Sequence, residues 1–113
     1  VTKIYIALDS ANLENALAKA ESESLFLSLL RMQENSPLEI KIAKHSENVG
    51  CSAAVLSACD WFFSYEEYGI ILEDDCVPIE SFFPYCDDLL NRYALDVKVA
   101  QISGDARHRC LVF

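Results

Sequence analysis

The chain has 113 residues, of which 52% are apolar, and it carries a net charge of −9. That length fits one small domain and excludes two, and that apolar share excludes wholesale disorder. The excess of carboxylates repels phosphate backbones and so excludes nucleic acid as a partner. An acidic protein that handles a phosphorylated ligand needs a cation between the two, and carboxylates favour a divalent one.

Lys3-Ile4-Tyr5-Ile6-Ala7-Leu8 is β-branched and aromatic, ends at Asp9-Ser10, and reads as a buried strand. Leu13, Ala16, Leu17 and Ala20 then recur at helical spacing. Leu25, Phe26, Leu29 and Met32 either continue that helix or form a second one, stopped by Asn35-Ser36-Pro37. Leu38 to Ala43 alternates apolar and polar residues, as a strand does. The polar loop Lys44-His45-Ser46-Glu47-Asn48-Val49-Gly50 leads into a helix over about Cys51 to Tyr65, with Cys51, Val55, Ala58 and Phe62 on one face and Trp61-Phe62-Phe63 as packing residues.

After Gly69, Ile70-Ile71-Leu72 is a short apolar run of the kind a fully buried parallel strand shows, and it stops abruptly in Glu73-Asp74-Asp75. Ser81 is placed to cap the next helix, with Pro84 in its first turn, where a missing N–H costs little. Phe82, Phe83, Cys86, Leu89, Leu90 and Tyr93 give it an apolar stripe. Val97 to Ile102 reads as a last strand closed by Ser103-Gly104; the polar Asp105 to Arg109 and the apolar Cys110 to Phe113 receive no assignment. Strands alternating with helices predict an α/β fold with right-handed crossovers and a mainly parallel sheet in three layers, α/β/α.

Uninterrupted apolar stretches such as Ile70-Ile71-Leu72 fall far short of the roughly 20 residues a bilayer core demands, so no transmembrane segment is expected. Val1 opens directly onto a strand-like segment; no signal peptide is expected, and the chain reads as a piece of a larger domain. The five cysteines are odd in number and form no CxxC pair, which reads as small buried thiols in a reducing cytoplasm rather than a disulfide or zinc framework.

Ligands of parallel α/β sheets bind at the carboxyl ends of the strands. Asp9, the His45 to Gly50 loop, Glu73 to Asp75 and Ser103-Gly104 all fall at such ends. Three successive carboxylates crowd one another, and a hard divalent ion such as Mg²⁺ or Mn²⁺ relieves that crowding while leaving room for diphosphate oxygens. Strand alternation aims Glu73 and Asp75 to one side and Asp74 to the other. The bland alternative is a solvated acidic turn. Asp9 is placed to accept hydrogen bonds from a base or ribose, although a strand often ends in Asp with no ligand. His45 is placed to reach a base or phosphate. Asn48 and Gly50 form a tight turn into a helix whose first amides favour anions. His108 and Cys110, two apart, are not read as metal ligands.

The run Asn48-Val49-Gly50, the helix bearing Trp61-Phe62-Phe63, the stretch Gly69-Ile70-Ile71-Leu72-Glu73-Asp74-Asp75-Cys76-Val77-Pro78, then Ser81-Phe82-Phe83 and Ile102-Ser103-Gly104 together resemble bacterial nucleotide-diphospho-sugar transferases. More distantly, they are similar to the animal N-acetylglucosaminyltransferase of type I. The resemblance spans about residues 39 to 104, and more loosely the opening strand. It implies a GT-A fold, a nucleotide-diphosphate sugar as donor, a saccharide or other hydroxyl acceptor, and a metal, usually Mn²⁺, bridging protein and diphosphate. Asp75 matches the position that touches the metal. Glu73 and Asp74 match positions that orient ribose, sugar or metal-bound water. Asp9 matches the acidic position at the base, and His45 stands where relatives carry Arg. The resemblance further implies an opening strand upstream of Val1, and a downstream acceptor-binding half carrying the catalytic base.

Two other classes fit less of the pattern. A non-catalytic binding module, or a remnant of such an enzyme, would keep the fold and lose turnover. A receiver-type or phosphatase-type α/β domain also clusters carboxylates around Mg²⁺, but at the end of its first strand, where this chain has Asp9 alone. An unpaired sheet edge left by a missing first strand predicts a homo-oligomer.

Overall fold

The computed structural model describes residues 2–12, 14–103 and 110–112. The chain divides into two units, Val1–Tyr65 and Glu66–Phe113. Leu13, Gly104, Asp105 to Arg109 with His108, and Phe113 lie outside the described residues.

The first unit runs β1 (Lys3–Leu8), α1 (Ala16–Asn35), β2 (Glu39–Lys44) and α2 (Cys51–Phe63). β1 and β2 pair in parallel with no stagger at either end, from Lys3 opposite Glu39 to Leu8 opposite Lys44. A parallel pair needs a long crossover, and α1 supplies it. The two apolar sets seen in the sequence form one helix of 20 residues. Asn15 caps its start, accepting the Ala18 amide at 3.1 Å through its side-chain oxygen. At the other end Pro37 disfavours helical backbone at Ser36, and the chain turns extended there, with φ −83° and ψ 140°.

α2 lies against the strand pair differently from the expected face. Ala54, Ser57, Ala58, Cys59, Trp61 and Phe62 are its partly buried positions, while Cys51 and Val55 are exposed. The small side chains let the helix approach the strands, and the aromatics fill the far end. Tyr5 of β1 meets Trp61 and Phe62 edge-on, with ring centroids 5.3 and 5.1 Å apart. The Lys41 ammonium sits 3.9 Å from the Tyr65 ring centroid and 5.1 Å from that of Tyr5. The Tyr5 hydroxyl holds that ammonium above its ordinary pKa.

The second unit contains β3 (Ile70–Leu72), α3 (Phe82–Tyr93), β4 (Ile102–Ser103) and β5 (Cys110–Val112). Its sheet has the order β3-β5-β4, and both pairings are antiparallel. β3 is therefore not the buried parallel strand its apolar run suggested, and Leu72 is 37% exposed. Three apolar residues fit a strand of either direction, and direction is set by the tail segment that pairs with them. The last predicted strand shrinks to Ile102–Ser103, because Asp96 nucleates a turn ahead of it. Its backbone carbonyl accepts Val99 N–H at 2.9 Å and its side chain accepts Lys98 N–H at 3.0 Å.

Phe82 and the fully buried Cys86 form the core of this unit, with Ile70, Leu90 and Ile102 packed around them. Burial pushes the Cys86 thiol up in pKa. Ser81 does not cap α3. Its backbone is helical, at φ −76° and ψ −7°, and its side chain makes no cap bond. Pro84 falls in the first turn as expected. Among the described residues, no helix is long and apolar enough to cross a membrane. The architecture is α/β, with a parallel βαβ unit in the first half of the chain.

Candidate functional site

Because β1 and β2 end side by side, the residues that follow them emerge together. His45 N–H continues the ladder to Leu8 C=O at 3.0 Å. Beyond that point the two loops bind each other through side chains. Asp9 Oδ1 accepts the amides of Ser10 at 2.9 Å and Val49 at 3.1 Å, and Oδ2 accepts the Gly50 amide at 3.1 Å. Asn48 Nδ2 donates to Ser10 C=O at 2.7 Å, and the Ser10 hydroxyl donates to His45 C=O. The Asp9 carboxyl is held below the usual carboxylate range, chiefly by the Val49 amide. Partial burial opposes this, while the Ser10 and Gly50 amides and the neighbouring His45 add to it. Gly50 closes the loop at φ 82° and ψ 155°, and α2 begins at the next residue.

The His45 ring turns toward α2, where Nε2 and the Ser57 hydroxyl lie 2.8 Å apart. Ser57 Oγ also lies 2.9 Å from Ala54 C=O, so the hydroxyl bridges the His45 ring and the helix backbone. A cavity of about 130 Å³ opens beside them, walled by Leu8, Ala43, Lys44 and Trp61 among others. Lys44 reaches away, its ammonium 2.9 Å from Glu23 of α1 and 4.8 Å from the Phe26 ring centroid. Asp9, His45, Asn48 and Gly50, each singled out by the sequence, thus share one strand-end network. Ser10 and Ser57 belong to it and were missed. An Asp-Ser pair just after a strand is a turn signal that points to the first; Ser57, inside a helix of small residues, carries no such signal.

In the second unit, Glu73, Asp74 and Asp75 are all exposed directly after β3. The Cys76 amide donates to Glu73 C=O at 3.1 Å and closes a turn around Asp74 and Asp75. Cys76 Sγ lies 3.9 Å from Asp75 Oδ1. Among the described residues, no three His, Cys, Asp or Glu side chains converge into a metal cage. A Mg²⁺- or Mn²⁺-type ion at a phosphate site takes one or two carboxylates and completes its shell with water and phosphate oxygens. The exposed hard oxygens of this turn fit that requirement. Ser103 is held in β4 opposite Leu111. Compared with known protein families, curated proteins and solved structures, the chain has no match in any of the three.

Proposed function

We propose that this chain is part of a metal-dependent glycosyltransferase with the three-layer GT-A fold. It binds a nucleotide-diphosphate sugar and serves transfer of the sugar to a hydroxyl acceptor, a saccharide or another alcohol. One observation carries the reading: a strand ends in three successive exposed carboxylates, in a chain whose net charge of −9 otherwise repels a diphosphate. Asp75 is the proposed metal ligand. Glu73 and Asp74 orient ribose, sugar or metal-bound water. A bound Mn²⁺ or Mg²⁺ supplies charge neutralisation for the departing nucleoside diphosphate. The turn contributes by keeping three carboxylates together at a strand end, open to an arriving ligand. The first unit supports the reading separately, because its parallel pair ends in the Asp9 to Gly50 network, the kind of place where α/β folds receive nucleotides.

The reading is tested by titrating several nucleotide sugars calorimetrically with and without Mn²⁺, for the native chain and for Asp75→Ala. Binding should require the metal and weaken at least about tenfold in the variant, the loss expected for a charged contact. Equal metal-dependent binding by both proteins would remove Asp75 from the site.

A further inference from the structure

We infer that Asp9 is a positioning residue: its carboxylate fixes the His45 to Gly50 loop, and the loop, rather than the carboxylate, meets the nucleotide. This rests on the glycosyltransferase reading for its ligand, and on hydrogen bonds within the first unit for its geometry. A carboxylate has about four acceptor positions, and backbone amides of Ser10, Val49 and Gly50 already occupy three of them. Val49 and Gly50 lie 40 and 41 residues away in sequence, so these bonds tie two separate loops together. Asn48 reinforces the tie by donating back to Ser10 C=O at 2.7 Å. Swinging the carboxylate toward a base would strand these amides. The other groups around Asp9 are Ser10, which is uncharged, and His45, the titratable neighbour on the β2 side whose charge lowers the Asp9 pKa. The loop also carries the exposed Glu47.

Two measurements test this on the intact chain. In the native protein, acid titration followed by ¹⁵N–¹H NMR should move the Val49 and Gly50 amides together, with one midpoint below the ordinary aspartate range. The carboxyl pKa is depressed by folding, so the tie is intact above that range and lost as pH falls through the folded value. Asp9→Asn, nearly isosteric, should abolish that titration and speed hydrogen exchange at both amides. The second measurement is Mn²⁺-dependent affinity for uridine, guanosine and adenosine diphosphates. A positioning role weakens all three by a common factor and keeps their order. A base-reading role reorders them toward adenine, because an amide side chain pairs with the adenine edge where a carboxylate does not. Reordering, or Val49 and Gly50 amides that ignore the Asp9 titration, would overturn the inference. If the native chain binds none of the three nucleotides, the glycosyltransferase reading falls, and the amide titration alone decides whether Asp9 holds the loop.

Discussion

Gly50 is where a single residue's backbone decides the geometry of the strand-end loop. Its φ of 82° with ψ of 155° lies in a region that is essentially restricted to glycine. A Cβ built there would meet no atom within 4 Å. Space is therefore not the constraint, and any cost of substitution comes from the backbone. Gly50→Ala should destabilise the chain by about 1–3 kcal/mol, read as a lower urea midpoint with an unchanged slope. Asn tolerates the left-handed helical region but not this one, so Gly50→Asn should cost about as much. Recovery by Asn would mean the loop can relax into a left-handed turn. The sequence pointed to Asp9, His45, Asn48 and Gly50 because each stands at the end of a strand or in the polar loop after one. It did not reveal that Asp9 binds the Val49 and Gly50 amides, since nothing local marks a partner 40 residues on. Nor did it show that the His45 ring faces Ser57.

At the scale of elements, α1 and α3 begin differently, and the difference is measurable. Asn15 satisfies the Ala18 amide at 3.1 Å, whereas the Ser81 side chain makes no cap bond. Asn15→Ala should cost about 1 kcal/mol and Ser81→Ala close to nothing, although serine and asparagine are nearly equal as capping residues in general. Equal costs in thermal melts would show that α3 acquires its cap in solution. Helices and the first two strands were legible because their periodicities are local. β1, β2 and α2 were foreseen within a few residues of their observed ends, although no residue of β1 is buried as expected; α1 was foreseen only as one helix or two, and α3 from its stripe. The second sheet was not foreseen. The three residues of β3 fit any strand, and Cys110–Val112, which sits between β3 and β4, is too short to carry a period of its own. Val97 shows the same limit from the other side. Its β-branched side chain suits a strand, yet the Asp96 turn leaves it 98% exposed.

At the scale of the whole molecule, charge was fully legible, and it yields a prediction whose sign separates this chain from ordinary phosphate binders. The protein carries −9 and a nucleoside diphosphate is an anion at neutral pH. Without a divalent cation their encounter is repulsive. Added monovalent salt screens that repulsion, because the Debye length shrinks to about 10 Å at 0.1 M. Weak metal-free affinity should therefore rise with NaCl, whereas a protein that grips phosphate with Lys and Arg loses affinity as salt rises. With Mn²⁺ present, the attraction is a short-range contact between ion, carboxylate and phosphate. Affinity should then be much higher and should fall gently with salt as the ion's own field is screened. Titrating a nucleoside diphosphate at about 20 and about 300 mM NaCl, with chelator or with Mn²⁺, gives the four constants needed. Opposite salt slopes in the two conditions are the expected result. A steep loss of affinity with salt in the chelated sample would mean that cationic side chains hold the phosphates, and the acidic turn would lose its role as the diphosphate site.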